Sequence, residues 1–469
     1  MRGAFGCARD GRAPGRVGFR PTKSLGGTPQ TGGRDARILR PVKFLPILLL
    51  VLVSAPLARA QTNALSLAEA RQAAFERNWD LLAAKSGVDN ATAQLIMVQE
   101  FPNPNLALST AKIGARNAGT TEGNSLWARS YDTIAAVSQL IEIGGKRRDR
   151  QAAARAGVRG AKARFYDAKR TLDQGVTKAY ITVLLDAENE RVLTESAGLM
   201  EHEVKIAQAR FAAGDLSESD RETLEINAEQ MELQARTAAA ATVQARIAVE
   251  VLMGVTAPQG DWKAADTLES LMTVSAPAPV GEAGATRPDV LAAETDLEGG
   301  EAQLKLQKAV RIPDPTLSIG VEHEPPDTGP AENTVNVGVS FPLPLWNRNG
   351  GGIKAAQAAV DQYREALGKA RAQAMADVAT AQSEYDEAHQ RWLRYRDTIA
   401  PESARTRDTV AFDYEKGAAS LVDLLNAEQT DNTIRLALAQ AMNDTASAVA
   451  DLAAARTVLT SEDLKKHTP

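Results

Sequence analysis

The sequence contains two copies of one pattern, and this duplication restricts the possible folds more than any other feature. The segment at 101–106 reads FPNPNL and returns at 312–317 as IPDPTL. Further matched positions are Val137 with Val339, Ser138 with Ser340, Phe211 with Tyr414, Gly214 with Gly417, and Asp220 with Asp423. The copies stay 202 to 211 residues apart, and chance matches would not keep both order and spacing. Each half is therefore expected to be one structural unit.

The duplication gives a domain organisation of two repeats behind an N-terminal segment. Residues 1–60 are interpreted as an N-terminal extension and signal peptide. The first repeat, 61–285, is expected to contain a helix, a β-hairpin at 104–142, a long helical hairpin at 146–255 and a connector at 256–285 rich in Pro, Gly and Ala. The second repeat, 286–469, is expected to contain a helix, a β-hairpin at 315–343, a long helical hairpin at 350–458 and a C-terminal tail.

The longest predicted elements are helices that exceed any globular core. No proline occurs from Lys146 to about Phe211, and apolar residues there keep helical spacing. About 65 residues at 1.5 Å per residue give a rod of roughly 95 Å, which needs a coiled-coil or tube partner. The stretch from Ile353 to Tyr414 repeats this pattern, with an irregularity expected near Pro401. Shorter helices are predicted at 65–100 and 287–310, each ended by a proline.

The predicted strands alternate between aliphatic and small or polar residues. The aliphatic or aromatic positions of the second hairpin are Leu317, Ile319, Val321, Val335, Val337, Val339 and Phe341. Those of the first hairpin are Leu106, Leu108, Tyr131, Thr133, Ala135 and Val137, a less regular set. A soluble sheet could show the same period of two, but two hairpins behind a signal peptide favour a lipid-facing barrel with a polar lumen. The loops between the strands, 111–130 and 324–333, would face outside.

Four strands cannot close a barrel on their own. An open sheet edge cannot persist in hydrocarbon, because unpaired backbone groups there cost several kcal/mol each, and the smallest usual barrels have about eight strands. We therefore expect several copies of the chain to share one barrel.

The N-terminal segment indicates an exported protein. Basic residues at 37, 40 and 43 precede an apolar run that ends near Leu57, and Ala58-Arg59-Ala60 then forms a cleavage site. Cleavage after Ala60 would remove Cys7, the only cysteine, so disulfides and thiolate metal sites are excluded. Residues 1–60 carry 11 Lys and Arg but 2 Asp and Glu, so the mature chain would have a net charge near −14. Such an acidic exported chain is a poor candidate for binding nucleic acid.

One short motif makes the resemblance to a known family specific. In each half an aromatic residue is followed by a glycine three positions later and an aspartate nine positions later. Glycine reaches φ > 0 cheaply, which lets a helix reverse in a few residues, and Ser217 and Ser420 can cap the returning helices. Over its mature length the chain resembles the TolC-type outer-membrane efflux factors. The segments at 139–147 and 341–349 are similar to the cobalt-zinc-cadmium resistance (CzcC-like) branch.

The resemblance implies a mostly α-helical, duplicated protomer with a small β part: a long α-helical barrel and four strands given to a shared trimeric transmembrane β-barrel. It implies a homotrimer that crosses the periplasm below the outer-membrane lipid and meets a periplasmic adaptor linked to an inner-membrane RND pump. The adaptor-contacting tips would be Phe211, Gly214, Leu216, Tyr414, Gly417 and Ala418. A periplasmic aperture would involve Asp220, Asp423 and Asn426, where Asn426 replaces a second acid of some relatives.

The same two branch-specific segments are expected to turn the chain from strand to helix. Glycine and proline make the turns, and Lys146, Arg147 and Arg348 are placed at the rim between membrane and periplasm.

The sequence shows no catalytic constellation, and we expect no enzyme and no cofactor. The four histidines do not form a metal-ligand cluster, and Glu322-His323-Glu324 is interpreted as a solvated loop. The function expected is passive export of heavy-metal cations, with organic solutes or drugs as the alternative cargo. A periplasmic coiled-coil adaptor is the alternative from a different class, although the duplicated strand pairs argue against it. A secreted hydrolase is the third alternative, and the sequence argues against it because it shows no nucleophile–base or paired-acid arrangement.

Overall fold

Long helices and one four-stranded sheet make up most of the chain that this computed structural model describes, namely residues 64–111, 132–272, 286–324 and 332–459. The elements in chain order are β1 (Ala64–Leu65), α1 (Leu67–Arg77), α2 (Trp79–Gln99), β2 (Asn105–Ala111), β3 (Asp132–Leu140), α3 (Lys146–Ala213), α4 (Glu218–Leu252), β4 (Lys263–Ala264), α5 (Leu268–Met272), α6 (Pro288–Ala309), β5 (Thr316–Glu324), β6 (Glu332–Ser340), α7 (Gly350–Arg394), α8 (Ala400–Glu415) and α9 (Leu421–Ala455).

The two repeats fold in the same way, which confirms the predicted duplicated, mostly helical fold. In the first β-hairpin Leu106 lies opposite Val137, and in the second Leu317 lies opposite Val339. These four residues are matched positions of the sequence repeat. The hairpins join through β3 and β5 into an antiparallel sheet with the order β2-β3-β5-β6.

The helix predicted at 65–100 is wrong as a single element, because the chain breaks at Asn78. This residue has φ −61° and ψ 129°, so it ends α1 and caps α2. Its side-chain oxygen accepts hydrogen bonds from the backbone N–H groups of Asp80 and Leu81, and its amide donates to the carbonyl of Leu252 at 3.0 Å. Asparagine competes well for such caps because its short side chain satisfies the free N–H groups of a helix start.

The long helices run much as the proline-free segments predicted. Helix α3 contains 68 residues and is about 100 Å long at 1.5 Å per residue. The irregularity expected near Pro401 is a π-helical segment, Tyr395–Ile399, between α7 and α8. Proline removes one backbone donor and crowds the preceding turn, so a locally wider turn lets the helix continue past it.

The largest apolar core lies where α1, α3 and the segment after α4 meet. Tyr180 of α3 is fully buried and stacks on Trp262, with 5.9 Å between ring centroids. The Tyr180 hydroxyl donates to the carbonyl of Leu65 at 2.7 Å and accepts from the N–H of Ala265 at 3.2 Å. Burial raises the Tyr180 pKa to about 12. The segment expected to be a plain connector thus contains β4, which pairs with β1, and α5.

Several predicted features lie outside the described residues. These are the signal peptide, Tyr131, most of the two loops between strands, part of the connector and the tail from residue 460. Within the described ranges, none of the helices combines the length and the apolarity that crossing a membrane requires.

Candidate functional sites

One face of the sheet is aliphatic and exposed. Register places Leu106, Val137, Ile319 and Val337 in one row across all four strands. The exposed aliphatic positions of the sheet are Leu106, Leu108, Val137, Leu317, Ile319, Val321, Val335, Val337 and Val339. Val337 is the most open of them, with 78% of its surface exposed. Phe341, also predicted on this face, lies one residue beyond β6 and is exposed as well. An apolar face of this size points to contact with an apolar surrounding.

The opposite face of the sheet carries small and polar residues. Ser138, Ser318 and Gly338 form one row, and Ala136, Gly320 and Asn336 form the next. A Cβ added at Gly338 would lie 2.8 Å from the hydroxyl of Ser318, so this face is closely packed. Alternation of an aliphatic face with a small polar face is the pattern of a strand between lipid and a wet lumen.

The two predicted hairpin tips have nearly the same geometry. Gly214, with φ +83°, directly follows the last residue of α3, and Gly417, with φ +75°, lies two residues beyond the end of α8. The N–H of Gly214 donates to the carbonyl of Phe211, and the N–H of Gly417 donates to that of Tyr414, both at 3.0 Å. This left-handed ending is the one that glycine allows without strain.

The structure brings the two tips together. Tyr414 packs with Leu224 and Leu424 in a buried cluster that also draws on Met200 and Ala207 of α3, and Leu216 is partly buried against it. Phe211 is exposed at the first tip, and the guanidinium of Arg221 lies 5.2 Å from its ring centroid. The two copies of the motif therefore form one continuous end of the helical part.

The serines three residues before the motif aspartates cap the returning helices. The hydroxyl of Ser217 accepts from the N–H of Asp220 at 3.1 Å, and that of Ser420 accepts from the N–H of Asp423 at 3.2 Å. The Asp423 carboxylate accepts in return from the hydroxyl and N–H of Ser420, and these hydrogen bonds lower its pKa. Asn426 lies one turn further along α9 and is exposed. A role of these three residues at an aperture stays a prediction.

The turn from β3 to α3 uses two glycines, as expected, and the lysine that follows them is buried. Gly144 and Gly145 have φ of +73° and +80°, as a strand-to-helix turn requires. Lys146, predicted at the rim between membrane and periplasm, has a buried side chain that is only 8% exposed, and its place at the rim stays a prediction. Its ammonium lies 2.8 Å from Oδ1 of Asp314 and also donates to the carbonyl of Ile312. Arg348, by contrast, is exposed.

A charged cluster between α3, α8 and α9 was not found from the sequence. The carboxylate of Asp431, which is 2% exposed, accepts from Arg407 at 2.9 Å and from Ser403 at 3.0 Å. Burial, together with the neighbouring carboxylate of Glu203, raises the pKa of Glu428 to about 7. No local sequence signal marks this cluster, because its members come from three separate helices.

Over the part of the chain that the structure covers, no group of three or more His, Cys, Asp or Glu side chains could hold a metal ion. His323 belongs to β5 instead of an open loop, and its Nδ1 lies 2.8 Å from the side-chain oxygen of Asn333 on β6.

An exposed aliphatic sheet joined to paired helical hairpins is the arrangement of a membrane export channel, and the comparison with known families agrees. The family model "Outer membrane efflux protein" matches residues 70–255 and 280–456. The chain belongs to the outer membrane efflux protein family. It is therefore an outer-membrane transport conduit and not an enzyme.

The individual relatives share only about a quarter of their residues with this chain. The chain is 25% identical to the cobalt-zinc-cadmium resistance protein CzcC of Cupriavidus metallidurans, over 79% of this chain and 85% of that protein. It is 26% identical to the pyoverdine export outer membrane protein OpmQ of Pseudomonas aeruginosa, over 79% and 81% of the two chains. The solved structure of the outer-membrane channel OprN has a TM-score of 0.70 at 18% identity and covers 83% of this chain and 89% of that chain, which shows the same fold.

Proposed function

We propose that three copies of this chain form a passive conduit that joins a twelve-stranded barrel in the outer membrane to a helical tunnel in the periplasm. The observation that carries the proposal is the four-stranded sheet, whose aliphatic face is exposed. Among the described residues its outer strands, β2 and β6, each pair with an inner strand on one side and with no strand on the other. Such a sheet is stable in lipid only if further strands close it. The proposed lipid-facing residues are the predicted aliphatic and aromatic positions of the second hairpin, namely Leu317, Ile319, Val321, Val335, Val337, Val339 and Phe341.

The conduit is proposed to work as the outer part of a tripartite pump. The paired tips, which include exposed Phe211 and the turn residues Gly214, Gly417 and Ala418, would contact a periplasmic adaptor protein. The adaptor would link the conduit to an inner-membrane pump of the RND class, which supplies the energy. Matching tip geometry in both repeats supports this, because three copies would present six similar turns on one ring.

The proposed cargo is heavy-metal cations. Support comes from the two branch-specific segments at 139–147 and 341–349 and from the likeness to a relative named for cobalt, zinc and cadmium resistance. Organic solutes are the second candidate, and the likeness to a relative named for pyoverdine export favours it. A wide polar lumen passes what a pump delivers, so neither cargo requires a site on this chain.

A deletion strain distinguishes these proposals. We expect the strain to lose resistance to at least one of zinc, cobalt, cadmium, nickel or copper, and to regain it with the intact gene. Sensitivity to drugs alone would replace the cation proposal with the organic one, and recovery of the protein as a soluble monomer after osmotic shock would overturn the conduit itself. Gly417→Pro tests the adaptor contact: the variant should reach the outer membrane but fail to restore resistance.

A further inference from the structure

The sheet has two edges that must be covered. Among the described residues the strand order is β2-β3-β5-β6, so β2 has one row of backbone groups without a strand partner and β6 has the other. The aliphatic residues next to these edges are exposed, namely Leu106 and Leu108 on β2 and Val337 and Val339 on β6. A second copy of the chain has the complementary edge, and the internal repeat specifies how it fits.

The chain already contains one example of the required joint, which here means the pairing of two strands from different hairpins. Strand β3, the second strand of the first repeat, pairs with β5, the first strand of the second repeat. In this joint Val137 lies opposite Ile319, Ser138 opposite Ser318 and Gln139 opposite Leu317. A joint between copies would again connect a second strand, β6, with a first strand, β2.

The two hairpins fix how positions correspond between the repeats. Asn105 lies opposite Ser138 in the first hairpin, and Thr316 lies opposite Ser340 in the second. Residues of β2 therefore correspond to residues of β5 that are 211 positions later, and residues of β3 to residues of β6 that are 202 positions later. The correspondence holds along both hairpins without a register shift.

Applied to the joint of β3 with β5, this correspondence yields the joint between copies. We infer that β6 of one copy pairs antiparallel with β2 of the next copy, in the register that places Val339 opposite Leu108 and Ser340 opposite Ala107. The inference rests on the proposed function, in that it requires several copies to share one barrel.

The face pattern supports this register. Val337 would lie opposite Thr110, Val339 opposite Leu108 and Phe341 opposite Leu106, so the aliphatic face continues across the seam. The small residues Gly338 and Ser340 would lie opposite Ser109 and Ala107 on the other face. A shift of one residue would turn the whole set to the wrong face.

Paired cysteines test the register in the intact chain, with Cys7 replaced by serine so that no other thiol remains. Ser340→Cys with Ala107→Cys is the matched pair on the small face, and Val339→Cys with Leu108→Cys is the matched pair on the aliphatic face. Ser340→Cys with Ser109→Cys is the offset control, because diagonal neighbours lie about 7–8 Å apart and exceed the usual disulfide span. The cysteines are oxidised in isolated outer membranes, and the protein is then analysed by denaturing electrophoresis with and without dithiothreitol.

The expected result is loss of the monomer band to a reducible covalent trimer for at least one matched pair, while the offset pair stays monomeric. Cross-linking of the offset pair alone would overturn the register. A native trimer in which neither matched pair cross-links would overturn the seam and leave the proposed conduit in place. Absence of any oligomer in the cysteine-free parent would overturn both.

Discussion

The ammonium of Lys146 lies 2.8 Å from the carboxylate of Asp314, and this ion pair joins the first repeat to the second at the base of the sheet. Both side chains are largely buried, and Asp314 also accepts a hydrogen bond from the N–H of Ile143 at 2.9 Å. The pair therefore fixes the turn into α3 against the segment that leads into β5.

Lys146→Met should destabilise the protein by about 3–5 kcal/mol, because it leaves the Asp314 carboxylate buried without its partner. Thermal unfolding of the purified protein in detergent measures the change. Lys354→Met is the control on an exposed lysine near the start of α7, and it should stay within about 0.5 kcal/mol. Equal unfolding temperatures for the two variants would contradict a structural role for this ion pair.

Val337→Asp should block assembly in the membrane. Arg or Lys on the lipid-facing side of a barrel strand costs about 2–4 kcal/mol at the bilayer midplane, and a carboxylate costs less than this but still destabilises the strand. Ser340→Asp places the same charge on the small polar face of the same strand and should be tolerated. The measurement is trimer yield in purified outer membranes, and a normal yield for Val337→Asp would count against the assigned facing.

Gly417→Ala should destabilise the second tip by about 1 kcal/mol, because alanine is strained at φ +75°. Gly368→Ala, in the middle of α7, should instead stabilise by about 1 kcal/mol through higher helix propensity. Neither added methyl would meet an atom within 4 Å, so only backbone conformation distinguishes the two sites. Thermal unfolding should show shifts of opposite sign, and shifts of the same sign would argue against a left-handed turn at the tip.

Glu428 should make stability depend on pH. Burial and the carboxylate of Glu203 raise its pKa to about 7, although Arg407 opposes the shift. The folded state thus binds a proton that the unfolded state has released, and stability should fall as pH rises from about 4.5 through about 7.

Glu428→Gln removes this titration, so its unfolding temperature should change less than that of the parent between pH 5 and pH 8. The exposed carboxylate Glu402 offers a control, since Glu402→Gln should keep the slope of the parent. A parent and Glu428→Gln with parallel profiles would show that Glu428 does not titrate in this range.

The sequence could predict those parts of the fold that depend on local pattern. Alternation at 335–341 located β6 because successive side chains point to opposite faces. Gly214 and Gly417 located the tips because few other residues accept their φ. Burial of Lys146 could not be predicted, since its partner Asp314 lies in the other repeat. The break at Asn78 was hidden because its cap depends partly on the carbonyl of Leu252, a tertiary contact.

The internal joint between β3 and β5 changes the task of building the barrel. In the proposed trimer each copy brings four strands already paired within one chain, so three pairings between copies would close the barrel, where twelve separate strands would need twelve. Most of the entropic cost of bringing the strands together arises while each chain folds. Only the three pairings between copies would depend on the concentration of the protein in the membrane. The rate of assembly should therefore depend on how often copies with folded four-stranded sheets meet.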